Sequence, residues 1–239
     1  MRANGKVQSA AARKSGPSRK PAPSGLRRAA AKSGMEAGNG TANLREEVAA
    51  YRKDLILQAA VDAFFEFGYH DCTVDMIAER LGGTKAIVYY YFADKHAILQ
   101  EIYRRALEEA QELIRKAMSG SDDPAVKLAT IARYYAQWVV DNQRVVGVFW
   151  REERSLSAEA RATVAVEQKR MDDLVATVIR DGVAKGVFDV PDVRTTARAI
   201  AGMITFTYTW WRSDHRLSRE DTAEYYARMS QRLVGIHVA

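Results

Sequence analysis

The stretch TVDMIAERLGGTKAIVYYYFADK, residues 73–95, constrains the fold of this chain more than any other. Four of its apolar residues fall at the i, i+3, i+4 and i+7 positions of one helix face: Val74, Ile77, Ala78 and Leu81. Thr73 can cap the start of this helix. Gly82 can end it, because glycine tolerates the positive φ that helix C-termini often need.

A second short helix is predicted from Lys85 to Tyr91, with Thr84 as its N-cap. Ile87 and Val88 can pack inward, and the outward positions are Lys85, Ala86, Tyr89 and Tyr90. Two helices joined by a tight turn that contains glycine form the helix-turn-helix layout, in which the second helix enters the major groove of DNA. The pattern therefore predicts a DNA-binding element.

This stretch resembles the DNA-binding signature of the TetR family of transcriptional regulators, and the resemblance extends over residues 48–99. The matching positions are Thr73-Val74, Ile77-Ala78, Gly82, Thr84, Val88-Tyr89, Tyr91-Phe92, Lys95 and Leu99. The resemblance implies contacts with the DNA backbone for Tyr89, Tyr91 and Lys95, and a groove-facing position for Tyr90. The candidate DNA-binding residues are Thr73, Thr84, Lys85, Ala86, Tyr89, Tyr90, Tyr91 and Lys95.

Gly83 departs from the resemblance, because the family usually has a small aliphatic residue after the turn glycine. The missing side chain removes a packing contact between the two helices and leaves the outward positions unchanged. Among those positions only Lys85 can make a bidentate guanine contact, so we expect base reading to depend on van der Waals contacts and DNA shape.

Length and composition predict an all-α protein of two domains. The 239 residues suffice for a three-helix DNA-binding domain with the helix-turn-helix, residues 44–93, and a larger helical ligand-binding and dimerisation domain, residues 94–239. No run approaches 18 apolar residues, so we expect no membrane span. A single cysteine, Cys72, excludes an internal disulfide and suits a reducing cytoplasm.

Residues 1–43 hold most of the positive charge. They carry nine basic side chains and one acid, a net charge of +8, so the remainder of this +6 chain sums to −2. The segment is rich in Ala, Ser, Gly and Pro, which predicts a disordered basic tail. It can track DNA phosphates, and the alternatives are a passive extension or a true start at Met35.

Catalysis is not expected from this sequence. No serine nucleophile, phosphate-binding glycine loop or paired carboxylate site can be assembled from it. His70 and Cys72 are two residues apart and have no further ligand nearby, so we expect no metal site and no cofactor.

Residues 192–212 predict a helix that is apolar on more than one side and therefore needs two covers. We expect one cover to be a second subunit, because the last predicted helix, residues 219–235, is apolar at matching spacing. The candidate homodimer residues are Tyr208, Trp211, Tyr225, Met229 and Leu233. The resemblance implies a four-helix interface, and a dimer would read a palindromic operator with half-sites about 34 Å apart or a longer multiple.

By resemblance, the larger domain binds a small-molecule effector whose binding releases the operator, with repression as the family default. The candidate ligand residues are Trp138, Phe149, Trp150, Met171, Phe206 and Trp210, and ordinary core packing is the alternative for each. The segments around EERSLS and Trp-Trp-Arg resemble family members that sense acyl-coenzyme A. Candidate cations for an anionic head group are Arg154, Arg161, Lys169, Arg170 and Arg212. A drug-like or steroid-like effector is the competing hypothesis, and an architectural or interaction protein without an effector is the alternative function.

Overall fold

The computed structural model describes residues 40–214 and 216–236, and this part of the chain contains ten α-helices and a short 3-10 turn. The helices are α1 Gly40–Phe67, α2 Val74–Leu81, α3 Lys85–Tyr91, α4 Lys95–Ser119, α5 Pro124–Asp141, α6 Gln143–Arg151, α7 Ala158–Ala184, α8 Val193–Thr205, α9 Thr207–Trp210 and α10 Arg219–Leu233. The predicted all-α class is confirmed.

Helix α1 begins earlier than the sequence predicted. Residues 40–43, which the composition assigned to the basic tail, form its first turn, and residues 1–39 lie outside the described part of the chain. An established helix extends readily, because each added residue gains one backbone hydrogen bond for the residue that it fixes.

Capping residues set the helix starts, as the sequence indicated. The Thr73 hydroxyl accepts a hydrogen bond from the Met76 amide at 3.2 Å, and the Asp94 carboxylate accepts one from the Ala97 amide at 2.7 Å. Asp123 caps α5 in front of Pro124. Thr84 occupies the N-cap position of α3, but its side chain makes no capping hydrogen bond, so the predicted cap is wrong in this respect.

Two hydrophobic cores fill the described part of the chain. The first joins α1, α2 and α3 to the N-terminal half of α4 and to α6. The second lies among the C-terminal half of α4 and helices α5, α7, α8 and α10. Tyr103 and Ile114 place α4 in both cores, and Trp138 and Met171 pack against both. The three N-terminal helices are therefore joined to the rest of the molecule by continuous packing.

The apolar segment predicted as a single helix over residues 192–212 is divided. Helix α8 ends at Thr205, Phe206 keeps right-handed helical dihedrals, and α9 ends where Trp211 turns extended. The helical direction is thus nearly continuous as far as Trp210. None of the helices between residues 40 and 236, leaving aside residue 215, is long and apolar enough to cross a membrane.

Candidate nucleic-acid interface and ligand cavity

Helix α3 is held by one fully buried residue and exposes most of its surface. Val88 is fully buried, whereas Lys85, Ala86 and Tyr89 are exposed and Tyr90 is 81% exposed. Ile87 is 40% exposed, so the prediction that it packs inward is wrong. With Val88 as its one fully buried residue, this seven-residue helix presents most of its circumference to solvent, which suits insertion into a groove.

The turn before α3 depends on Gly82. Its φ of 71° places it in the left-handed region, and its amide donates to the Glu79 carbonyl at 2.9 Å. The next amide, of Gly83, donates to the Ala78 carbonyl at 2.9 Å. These bonds satisfy the last carbonyls of α2 and set the angle between the two helices.

Lys85 forms an ion pair with Asp75 on α2, with 2.9 Å between Nζ and Oδ2. The hydrogen bond to Asp75 raises the pKa of the exposed Lys85 ammonium above its ordinary value. The ammonium also lies 5.8 Å from the centre of the Tyr89 ring. Asp75 and Tyr89 therefore hold the Lys85 ammonium at the N-terminal end of α3.

The Lys95 ammonium points at the protein and is only partly solvated. Its Nζ lies 2.5 Å from the Tyr69 carbonyl, 3.3 Å from that of His70 and 2.7 Å from that of Cys72. It also lies 4.3 Å from the centre of the Tyr69 ring. An ammonium has three N–H donors, and the three carbonyls occupy them. Lys95, a candidate phosphate contact, thus donates its hydrogen bonds to the link between α1 and α2 and holds that link in place.

The remaining DNA-binding candidates differ in their positions. The Thr73 hydroxyl is engaged in its cap, and Thr84 is exposed at the start of α3. Tyr91 is half-buried against the first core and meets Tyr90 edge to face, with ring centres 4.9 Å apart. Tyr91 therefore supports the most exposed tyrosine of the helix from below.

Helix α6 and the turn after it connect the DNA-binding motif to the larger domain. The Arg151 guanidinium lies 4.5 Å from the centre of the Phe65 ring and donates to the Phe65 carbonyl at 2.8 Å. Glu152 accepts a hydrogen bond from the Tyr69 amide at 3.2 Å. On the other side of α6, Phe149 lines a cavity that is partly open to solvent.

That cavity lies among α4, α5, α6, α7 and α8 and has a volume of about 330 Å³. Its aromatic wall contains the stacked rings of Tyr135 and Trp138, 6.1 Å apart, together with Phe149 and Trp150. Small residues of α4 and α8 form much of the opposite surface: Ala106, Ala110, Ala201 and Gly202. The lining is predominantly apolar, as expected of a small-molecule site.

Few polar groups reach the cavity. The Tyr135 and Thr205 hydroxyls lie 2.8 Å apart, and burial raises the pKa of Tyr135. At its edge Arg198 pairs with Asp172, with 3.3 Å between Nε and Oδ2. A small cleft beside this pair adds Lys169, Asp173 and Arg194. The lining thus combines an apolar interior, one hydroxyl pair, the Gln168 amide and a charged rim.

Four of the six candidate ligand residues line this cavity: Trp138, Phe149, Trp150 and Met171. Phe206 and Trp210 do not line it, and Phe206 is 63% exposed. Thr205 faces the cavity, and the next residue of a helix points about 100° away from it. Sequence reasoning missed Arg198 and Thr205. Arg198, Gly202 and Thr205 lie on one face of α8, and the small residues Ala201 and Gly202 leave room for a ligand there.

Most of the candidate cations lie elsewhere. Arg161 donates to the Leu156 carbonyl at 2.6 Å, Arg170 pairs with Glu167 at 2.5 Å, and Arg212 donates to the Trp211 carbonyl at 2.8 Å. Arg154 is exposed in the turn after α6, outside both the cavity lining and the cleft. Lys169 is the member of this set that lies beside the cavity rim.

The candidate dimer residues divide into two groups. Tyr225 and Leu233 of α10 are exposed and Met229 between them is half-buried. Tyr208 packs against the second core, and the Trp211 indole donates to the Thr222 hydroxyl at 3.1 Å. Phe206 and Trp210 are exposed on the segment next to α10 in sequence, so the structure moves them from the predicted cavity to the outer surface.

An exposed helix-turn-helix packed continuously against a helical domain with an apolar cavity is the architecture of a DNA-binding transcriptional regulator. Comparison with known families agrees. The family model described as "Bacterial regulatory proteins, tetR family" matches residues 56–102, and "Tetracyclin repressor-like, C-terminal domain" matches residues 121–234. The chain belongs to the TetR family, which confirms the resemblance seen in its sequence. It is a transcription regulator and not an enzyme.

Individual relatives agree with this assignment. The TetR-family regulator PfmR from Thermus thermophilus is 30% identical, and the match covers 74% of this chain and 97% of that chain with a TM-score of 0.68. AibR in complex with isovaleryl coenzyme A and operator DNA is 23% identical over 74% of this chain and 97% of its own, with a TM-score of 0.68. The fatty acid metabolism regulator protein of Bacillus subtilis (strain 168) is 25% identical over 65% of this chain and 81% of its own length.

Proposed function

We propose that this regulator is a homodimeric repressor, released from a palindromic operator by an effector with an apolar part and an anionic head, such as an acyl-coenzyme A. The observation that carries the proposal is the position of α4. Its N-terminal half lies in the core that holds the helix-turn-helix, and further along Leu107 and Ala110 line the cavity. We expect the protein to act in the cytoplasm.

Helix α4 gives the effector a mechanical route to DNA. Tyr103 is buried in the first core one turn before Leu107 reaches the cavity. Since packed interiors transmit displacement rather than absorb it, a ligand that moves this wall also moves α3. Coupling between effector and operator is reciprocal and typically about 1–3 kcal/mol.

Helices α8 to α10 supply the proposed dimer surface. Large apolar side chains are exposed along it: Phe206, Trp210, Tyr225 and Leu233. Exposed apolar groups of this size are typical of protein interfaces. A two-fold axis through this surface would present two α3 helices to DNA, with half-sites about 34 Å apart or a longer multiple.

The cavity supports the chemical class of the effector. Its apolar interior suits an acyl group, and the cations at the rim, Lys169, Arg194 and Arg198, suit phosphate groups. AibR, which shares the fold, was solved with isovaleryl coenzyme A and operator DNA, and the Bacillus subtilis relative is a fatty acid metabolism regulator. A drug-like or steroid-like molecule would fill the same interior and make less use of the rim.

The test is a gel shift on DNA from the region upstream of the protein's own gene, with acyl-coenzyme A thioesters, the matching free acids and steroids as additions. We expect thioesters to release the operator, with weaker release in Lys169→Ala and Arg194→Ala. Arg115→Ala is the matched control, because Arg115 is an exposed cation on α4 that pairs with Glu112 and lies outside the cavity lining and the cleft.

Three other outcomes are informative. Release by steroids alone would select the competing effector. Specific DNA binding that ignores every addition would favour the alternative function, an architectural or interaction protein without an effector. If thioesters release the operator equally well in all variants, Lys169 and Arg194 do not bind the head group of the effector.

A further inference from the structure

The hydroxyl pair of Tyr135 and Thr205 in the cavity wall is not used by the proposed function. The two oxygens lie 2.8 Å apart and join α5 to α8, and both residues line the cavity. Most of the surrounding lining is apolar, with Trp138 stacked on Tyr135 and Val146 and Phe149 on α6. Its polar members are Gln168, Asp172 and Arg198, and the Asp172 carboxylate pairs with Arg198. A polar pair in such surroundings selects strongly between ligands.

A count of hydrogen-bond donors shows what the Tyr135–Thr205 pair can offer a ligand. Each hydroxyl has one proton and can accept two bonds. The bond between Tyr135 and Thr205 uses one of the two protons. Burial raises the pKa of Tyr135, so the phenol keeps its proton at physiological pH. One O–H donor is therefore left over, and the cavity that both side chains line is where a ligand can accept from it.

We propose that the Tyr135–Thr205 pair is a specificity element that recognises a hydrogen-bond-accepting oxygen in the buried, apolar part of the effector. This inference rests on the proposed function in so far as the cavity holds the effector. An apolar ligand without such an oxygen would cover the leftover donor and leave it unpaired, which is unfavourable. A carbonyl or ether oxygen at that point would satisfy it.

The position of Thr205 on α8 also sets the distance between the hydroxyl pair and the charged rim of the cavity. Arg198 at the rim and Thr205 are seven residues apart on the same face of the helix. At 1.5 Å per residue they are about 10 Å apart along the helix axis. An effector that meets both would carry its anionic group and its buried oxygen at roughly that separation.

Calorimetric titration of the full-length protein with two uncharged probes of similar shape, 1-decalone and decalin, tests the inference. The ketone offers an accepting oxygen that the hydrocarbon lacks, and neither probe needs the rim cations. We expect the ratio of the two dissociation constants to move about tenfold against the ketone in the double variant Tyr135→Phe with Thr205→Val, as loss of one hydrogen bond predicts.

A matched control comes from the same fold. Thr207 and Tyr226 form another buried hydroxyl pair, 2.7 Å apart, which does not line the cavity. The double variant Tyr226→Phe with Thr207→Val should leave the probe ratio unchanged. An equal ratio in wild type and in the cavity variant, or no binding of the ketone to the wild type, would overturn the inference. Failure of thioesters to release the operator would appear in the gel shift and leave this titration interpretable.

Discussion

Gly147 of α6 packs directly on the ring of Phe65 in α1. A β-carbon at Gly147 would lie 2.6 Å from Phe65 Cε2 and 2.9 Å from its Cδ2. Only a residue without a side chain allows the helices to approach this closely. On the same helix, Val146 and Phe149 line the cavity, so α6 carries a ligand wall on one side and the DNA-binding motif on the other.

Gly147→Ala should therefore destabilise the fold and weaken operator binding together. The added methyl group overlaps the Phe65 ring, and overpacking of this kind typically costs about 1–3 kcal/mol. Denaturant unfolding gives the free energy, and a gel shift gives the affinity. Combining the change with Phe65→Leu should restore part of both, because the smaller side chain makes room. Equal stability of Gly147→Ala and wild type would show that the contact is not tight.

Lys95→Met should lower stability without changing the number of phosphates that the protein neutralises. Hydrogen bonds to a charged group contribute about 1.5–3 kcal/mol when buried, and less here because the lysine is partly solvated. The readout is the salt dependence of operator binding, whose slope decreases by about 0.9 for each phosphate that is no longer neutralised. We expect an unchanged slope, since the three carbonyls occupy the ammonium. A slope reduced by about 0.9 per subunit would show instead that Lys95 contacts a DNA phosphate.

Lys85→Ala and Tyr89→Phe test the exposed face of α3 itself. Both residues are exposed, and neither belongs to a hydrophobic core, so stability and the oligomeric state should not change. Operator affinity should fall, by about 1–3 kcal/mol for Lys85 if it reads a guanine. Gel shifts with the operator, checked by size-exclusion chromatography, measure both properties. Wild-type affinity in both variants would contradict the assignment of α3 as the recognition helix.

The helix-turn-helix could be predicted from sequence because its determinants are local. The Thr73 cap, the left-handed Gly82 and the inward Val88 each depend on residues within a few positions. The role of Lys95 could not be predicted, since the carbonyls to which it donates lie 23 to 26 residues away in the sequence. Family resemblance pointed to a phosphate contact, and only the packed structure shows the carbonyls that compete for the ammonium.

The cavity was predictable only in part, for a related reason. Large aromatic residues signal that a region is apolar, but the space itself comes from small residues, such as Ala201 and Gly202, placed opposite them. The side of α8 that faces inward depends on how it packs against α5 and α7. One position along the helix separates Thr205, inside, from Phe206, outside.

Gly83→Ala should stabilise the protein. Gly83 lies outside the set of glycines with positive φ, and a β-carbon there would meet Leu81 at 3.5 Å and Ile87 at 3.6 Å, which are ordinary contact distances. Replacing glycine where the backbone is compatible gains about 0.4–1 kcal/mol by restricting the unfolded chain. Thermal unfolding measures the gain. Gly82→Ala is the matched control and should destabilise, because its φ of 71° disfavours a side chain.

Glu109 of α4 should make stability depend on pH. Burial raises the pKa of this carboxyl above its ordinary value of 4.5, and the Trp138 indole, which donates to it at 3.0 Å, opposes that rise only in part. The native state therefore keeps the proton to a higher pH than the unfolded chain does. It follows that the stability contributed by the protonated form is lost as the pH rises above about 4.5 and through the native pKa.

Glu109→Gln should remove this dependence, because the amide oxygen can still accept from Trp138 and carries no charge to desolvate. We expect the variant to be more stable than wild type at neutral pH and to lose that advantage in acid. Unfolding free energies measured across this range provide the test. Glu112→Gln, which changes an exposed carboxylate on the same helix, is the matched control for the substitution itself. If the unfolding free energies of wild type and Glu109→Gln run parallel at every pH, the pKa of Glu109 is the same in the native and the unfolded state.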